Sequence, residues 1–281
     1  MGFVILADSS CDLPRGLSQK EGISLVPMPV SIEGKTFQEG VDIFPEEFYP
    51  RFPTFQELPK TSQPNLGTLK EAYESHLAQG NEVIAIHLSS GLSSTYETAL
   101  MARNMCSEPE KIHVIDSLGA SLGFGLLVLG ANKIAQEFDS WKEIEREILQ
   151  LRQKLRYIFT PDTLEYLVKG GRVSKTAGLI GGLLDVKPIL HLTAEGRIEP
   201  LTKVRSRKAA LRKLVDLMLE EIREPEEQII GISQAACLEE AESLAKDIRQ
   251  KVKVKDIIIS DIGCVIGSHT GPGTIALFYQ R

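Results

Sequence analysis

Three short apolar runs, Phe3–Ala7, Val83–Leu88 and Ile112–Asp116, each break into a polar turn, and the latter two are followed by a helical pattern. This alternation narrows the fold more than any other feature of the chain. Strands separated by helices pair in parallel through crossover connections, so the pattern predicts a parallel sheet covered by helices on both faces. The predicted helices cover Leu66–Gln79, Glu97–Met105 and Leu122–Phe138, and Ile23–Ile32 reads as an extended stretch whose Pro27 and Pro29 suit an edge or a strand end. The turns share one chemistry: Asp8-Ser9-Ser10, Ser89-Ser90 with Ser93-Ser94-Thr95, and Asp116-Ser117 are rich in hydroxyls. In parallel sheets ligands bind beyond the carboxyl ends of the strands, where helix N-termini offer free N–H groups. One such turn is an ordinary helix cap. Three on one sheet edge predict a small-anion site.

The pattern changes near Leu155. A strand at Arg156–Pro161 is followed by Val186–Leu192 and Ile198–Val204, which flank Thr193–Arg197 as a hairpin. Helix Arg207–Arg223, strand Gln228–Ser233, helix Leu238–Lys251, strand Asp256–Ser260 and a last strand near Thr274–Tyr279 complete the chain. The expected architecture is therefore α/β with two domains. Residues 1–154 form an α/β/α domain on a parallel sheet, and residues 155–281 an α+β domain on a mixed, largely antiparallel sheet. The boundary falls in the helical region Phe138–Gln153. Between them, Tyr166–Leu190 joins a basic Gly170-Gly171-Arg172 turn to an apolar, glycine-studded helix at Ala177–Leu184, too short to cross a bilayer. By chemistry alone Arg172 reads two ways: a cation capping a helix end, or a guanidinium held for a phosphate or an acidic partner.

A formal charge of −6 argues against nucleic acid as the main partner, because phosphate binding needs a basic face. Cys11, Cys106, Cys237 and Cys264 have neither the spacing of a zinc site nor that of a disulfide frame. No basic-then-apolar leader precedes the first strand, and the reading is a cytoplasmic protein. Gly119–Gly123 fits the G-x-S-x-G pattern around Ser121, with Asp261 and His269 downstream in the order of an α/β-hydrolase. The strand before it ends several residues early, so a helix entrance is the expectation and a serine hydrolase using Ser121 or Ser93 with His269 the alternative. Gly271–Ala276 matches a dinucleotide fingerprint, but too little chain follows to build its helix. The sequence has no G-x-x-x-x-G-K-[ST], H-E-x-x-H or EF-hand pattern, so no metal or cofactor is expected. His87 and His191 read as satisfied core residues. His269, in the polar stretch Ile266–Gly273, reads as an imidazole presented by a flexible loop.

Taken together, Asp8–Pro14, Thr61-Ser62-Gln63-Pro64, Ser89–Tyr96, Tyr166–Ser174 and Gly267–Gly273 resemble the DegV family along the whole chain. The resemblance implies a two-domain α/β protein that buries a long-chain fatty acid between its domains. It implies a non-catalytic subunit that presents the acyl carboxylate to a separate ATP-dependent fatty acid kinase for phospholipid synthesis, with transient contact at a membrane surface. Matched position by position, the carboxylate ligands are Thr61, with Ser62 beside it, Ser93, with Ser94 as helper, and His269; Arg172 is implied to dock the kinase. Two departures stand out. Ser94 replaces the more usual Gly, and Phe37–Asp42 carries Glu39 where Asp is commoner. For the acyl tunnel the apolar candidates are Leu122 and Leu126, with Leu179, Ile180 and Leu183 from the glycine-studded helix.

Overall fold

The computed structural model describes residues 2–173 and 186–281, so the expected helix Ala177–Leu184, with Leu179, Ile180 and Leu183, lies outside the described residues. In chain order the first part runs β1 (Phe3–Asp8), α1 (Leu17–Lys20), β2 (Ser24–Val26), β3 (Pro29–Ile32), β4 (Lys35–Gln38), α2 (Pro45–Arg51), β5 (Lys60–Thr61), α3 (Leu66–Leu77), β6 (Glu82–His87), α4 (Thr95–Asn104), β7 (Ile112–Asp116), α5 (Ser121–Glu137) and α6 (Trp141–Lys154). The second runs β8 (Leu155–Thr160), α7 (Glu165–Lys169), β9 (Lys187–Leu192), β10 (Ile198–Val204), α8 (Arg207–Glu221), β11 (Ile229–Gln234), α9 (Leu238–Lys251), β12 (Asp256–Asp261), α10 (Cys264–Thr270) and β13 (Ile275–Gln280).

β2-β1-β6-β7 form a four-stranded, wholly parallel sheet. The second sheet, ordered β10-β9-β8-β13-β11-β12, is antiparallel except for its β11–β12 pair. Both sheets match the expected fold class. The predicted extended stretch Ile23–Ile32 divides at its prolines: β2 is the edge of the parallel sheet, and β3 pairs with β4 and β5 in a separate antiparallel sheet. Three strands of two to four residues, with only Val30 and Ile32 buried, leave too little pattern to read from sequence alone.

α5 lies between the two sheets. Leu122–Val128 are all buried, because this helix meets β1 on one side and β8, β11 and β13 on the other. A helix apolar all round is one buried all round. In contrast, α9 buries Ala241, Leu244, Ala245 and Ile248, one stripe at helical spacing, against the outer face of the second sheet. That sheet is apolar on both faces. Ile158, Ile230, Ile232, Leu277 and Tyr279 pack outward under α8 and α9, while Tyr157, Phe159, Ala276 and Phe278 point inward toward α5. Among the described residues the four cysteines are unpaired, and no helix is long and apolar enough to cross a membrane.

Candidate binding site

The expected loop around His269 is a helix. Cys264, Val265 and Gly267 are buried in α10, which packs on α2, α7 and the small sheet, and the ring of Tyr49 lies against Gly267. Tertiary burial of one apolar turn overrides the loop-like Gly-Ser-His-Thr-Gly composition. His269 therefore points inward from a helix end. Its Nε2 lies 2.7 Å from the Thr61 hydroxyl, which β5 supplies by pairing with β3. Its Nδ1 is buried against Gly170 with no hydrogen-bond partner among the described residues. Burial, and then the nearby Arg172 guanidinium, lower the imidazole to about 4, so the ring is neutral near pH 7. An unpaired acceptor is tolerated better than an unpaired buried N–H. The single ring proton therefore belongs on Nε2, which donates to Thr61 and leaves the Thr61 hydroxyl hydrogen available to a ligand.

Ser93 stands at the entrance of α4. Its hydroxyl is 2.8 Å from that of Thr95 and accepts the Thr95 N–H at 3.3 Å, tying it to the first turn of the helix. Ser94 is the exposed residue before that turn. The loop is held from below by a buried chain. The Asp8 carboxylate accepts the Leu88 N–H at 2.9 Å and faces His87 at 3.2 Å, and His87 reaches the Tyr73 hydroxyl at 3.1 Å. It is held from the side by the β9–β10 hairpin, whose Gly196 carbonyl accepts the Ser89 hydroxyl at 2.9 Å.

Thr61, Ser62, Ser93, Ser94, Arg172 and His269 all line one cavity of about 380 Å³. Its polar end carries the exposed Ser62, Gln63, Ser90 and Ser94, so that end opens to solvent. Its far wall is the inner face of the six-stranded sheet: Tyr157, Phe159, Leu192, Ile198, Ala276 and Phe278. Arg172 is half-buried at the rim, where its Nε donates to the Leu92 carbonyl at 3.2 Å and its Nη1 to that of Gly170 at 2.6 Å. Leu122 and Leu126 are elsewhere. Both pack on Gly231 of β11 in the core between α5 and the sheet. The aromatic wall was missed in the sequence, although residues 157 and 159, and 276 and 278, carry the period-two signal of a shared face.

The hydrolase arrangement is not assembled. The Ser121 hydroxyl donates to Asp12 at 2.5 Å and lies 3.0 Å from that of Ser233, Asp261 accepts from Gln234, the Ser93 hydroxyl meets Thr95, and the Nε2 of His269 meets Thr61. Beside Ser121 lies a buried acidic pair. Asp12 and Glu39 flank Gly263 and are 7% and 5% exposed. Glu39 accepts the Ser9 hydroxyl at 2.5 Å and the Val265 N–H at 2.8 Å, and burial raises it to about 7. Burial, together with Glu39, raises Asp12 as well.

A family model described as "Uncharacterised protein, DegV family" matches residues 2–281. The chain belongs to the DegV family. A DegV domain-containing protein of Clostridium perfringens is 38% identical over 284 residues, covering 99% of this chain and 97% of the relative. Among solved structures, a DegV family protein from Thermus thermophilus described for its fatty acid binding superposes with a TM-score of 0.93 at 29% identity, covering 100% of both chains. DegV of Bacillus subtilis, described as a fatty acid binding protein, gives 0.88 at 31% identity over 100% of both. A stearic acid-binding protein of Eubacterium ventriosum gives 0.87 at 28%, covering 99% of this chain and 98% of its own. These three DegV relatives are thus described as fatty acid binding proteins and share the fold of this chain.

Proposed function

We propose that this protein binds a long-chain fatty acid in the cavity, holds its carboxylate at Thr61, Ser93 and His269, and presents it to a separate ATP-dependent kinase that forms the acyl phosphate. One observation carries the reading: a single cavity joins a hydroxyl- and imidazole-lined opening to an aromatic and aliphatic interior between two sheets. The fatty acids described for the solved relatives support it.

The energetics divide along the cavity. At about 0.8 kcal/mol per methylene, a tail of about fifteen methylenes offers on the order of 10 kcal/mol of gross transfer free energy. Part of this is offset by ordering the chain. The tail therefore supplies affinity and the head group supplies position. A desolvated carboxylate needs donors. The Thr61 and Ser93 hydroxyls provide them, with His269 acting through Thr61. Arg172 lines the cavity yet stays half exposed at its rim, so a docking kinase meets this cation beside the carboxylate.

Native mass spectrometry of the purified protein tests the proposal. The expected result is a co-purifying long-chain fatty acid that Thr61→Ala combined with Ser93→Ala depletes. No bound acid, and no uptake of added palmitate or oleate, would overturn it. Arg172→Ala should abolish kinase-dependent phosphorylation while sparing uptake, and equal loss of both would remove the docking role.

A further inference from the structure

Glu39 stands where the small sheet meets α10. It follows β4, which pairs with β3, and β3 also holds β5 with Thr61. Its carboxylate accepts the Val265 N–H at 2.8 Å at the entrance of α10, the helix that carries His269 toward its other end. Its second oxygen accepts the Ser9 hydroxyl, whose own oxygen accepts the Met28 N–H at 3.0 Å. Tyr49 of α2 closes the same corner by donating to the Ile262 carbonyl at 2.7 Å. Thr61 and His269, which meet at the head-group site, therefore sit on the two elements that Glu39 joins.

Asp12 comes to this corner from the turn after β1. One of its oxygens accepts the Ser121 hydroxyl at 2.5 Å, and the other, Oδ1, is buried with no hydrogen-bond partner among the described residues. Gly263 shows where that oxygen points. Its backbone, at φ −63° and ψ 170°, is open to any residue, yet an added Cβ would stand 2.5 Å from Asp12 Oδ1 and overlap Glu39 Oε1. The two oxygens face each other across the position of a single carbon atom. Among the described residues, the hydrogen bonds to the pair come from hydroxyls and a backbone N–H. The other ionisable groups around it are Asp8, Cys11, Tyr49 and Cys264, with Glu46 and Asp261 beyond them and His269 farther along α10. Two buried acceptors with no donor between them call for a proton, because like charges sharing one dry site cannot both stay ionised.

We infer that Asp12 and Glu39 share one proton and act as the positioning pair of the head-group site, pinning the entrance of α10 to the β1 turn and the small sheet and so setting His269 against Thr61. Neither residue lines the cavity, so the pair acts on a ligand through α10 and the small sheet. When the second carboxyl ionises, the two repel and the entrance of α10 loosens. The positioning role rests on the fatty-acid reading above; the shared proton does not.

Two measurements test the inference. The first is hydrogen exchange of the α10 amides, Cys264–Thr270, in delipidated wild type and Glu39→Gln at pH 5.5 and 8. Glutamine keeps an acceptor for the Val265 N–H and cannot ionise. Folding raises Glu39 from 4.5 to about 7, so the wild type loses its hold as pH rises through that window. The protection of the variant relative to the wild type should therefore grow by about thirtyfold at most. Taking this ratio cancels the titration of His269, which runs the other way in both proteins. The second is release of preloaded palmitate, which Glu39→Gln should slow relative to the wild type by a wider margin at pH 8 than at pH 5.5. If Glu39→Gln does not fold, Asp12→Asn removes the other carboxylate, keeps an acceptor for Ser121 and makes the same comparison. A protection ratio that is constant or falls with pH overturns the shared proton. A rising ratio with identical palmitate release in the two proteins overturns the positioning role. A wild type that takes up no palmitate overturns the fatty-acid reading and the positioning role with it, while exchange still decides the shared proton.

Discussion

Gly170→Ala probes the contact that orients His269. Gly170 has φ −74° and ψ −7°, a backbone conformation open to alanine. At a compatible site, restricting the unfolded chain in this way stabilises by about 0.4–1 kcal/mol. Here the added Cβ overlaps His269 Nδ1 and stands 3.0 Å from the Tyr166 carbonyl oxygen. The imidazole must move, and its 2.7 Å contact with Thr61 goes with it. Overpacking costs about 1–3 kcal/mol and the lost hydrogen bond about 0.5–1.5 kcal/mol. After the entropic offset, a net loss of about 1–3 kcal/mol is expected in urea unfolding, with weaker fatty-acid retention. The discriminating measurement is the double-mutant cycle with His269→Ala, which removes the side chain that the methyl meets. In that background Gly170→Ala should be neutral or slightly stabilising, giving a coupling of about 1.5–3 kcal/mol. Additivity within about 0.5 kcal/mol would show that the glycine serves only its own turn.

Two pH-dependent predictions follow from the buried ionisable groups. His269 falls from 6.5 to about 4 on folding, so between those values the unfolded chain binds the extra proton; stability is complete above the window and declines as pH falls through it, by about 3 kcal/mol at most. Urea midpoints at pH 7.5 and 4.5 should differ more in the wild type than in His269→Gln, and equal differences would refute the assignment. Glu39 shifts the opposite way, from 4.5 to about 7, so folding opposes its ionisation and stability falls as pH rises through that window. Glu39→Gln keeps an acceptor for the Val265 N–H and should stabilise at pH 8 by up to about 3 kcal/mol, with little effect at pH 4.5. Destabilisation at pH 8 would mean that the ionised carboxylate is needed where it stands.

Local pattern sufficed for the long elements. β7 at Ile112–Asp116, β10 at Ile198–Val204 and α9 at Leu238–Lys251 have the bounds that hydrophobic period and turn residues predict. The hydroxyl turns after β1 and β6 were legible because strand ends and helix entrances write their chemistry into neighbouring residues. Thr61, Ser93, Arg172 and His269 were reached through the family resemblance rather than through any spacing among them, and the structure brings all four to one cavity. Their contacts were not legible. His269 is 208 residues from the hydroxyl it meets, and nothing near Arg172 in the chain places its guanidinium on the cavity rim.

What the amino-acid sequence determined by itself is the alternation of elements, hence one parallel and one mixed sheet, and the hydroxyl-rich strand ends. Tertiary structure alone decided which face of β8 and β13 became the cavity wall. Both faces of those strands are apolar, so period-two alternation names two faces without ranking them. The choice was made by what docks on each: α8 and α9 fill the outer face completely, whereas α5 leaves uncovered the part of the inner face around Ala276. The same is true of Asp12 and Glu39, whose carboxylates converge on Gly263 only when both sheets and the small antiparallel sheet have packed. Long-range convergence of this kind has no local signature, because its free energy arises from burial between elements rather than from neighbours in the chain.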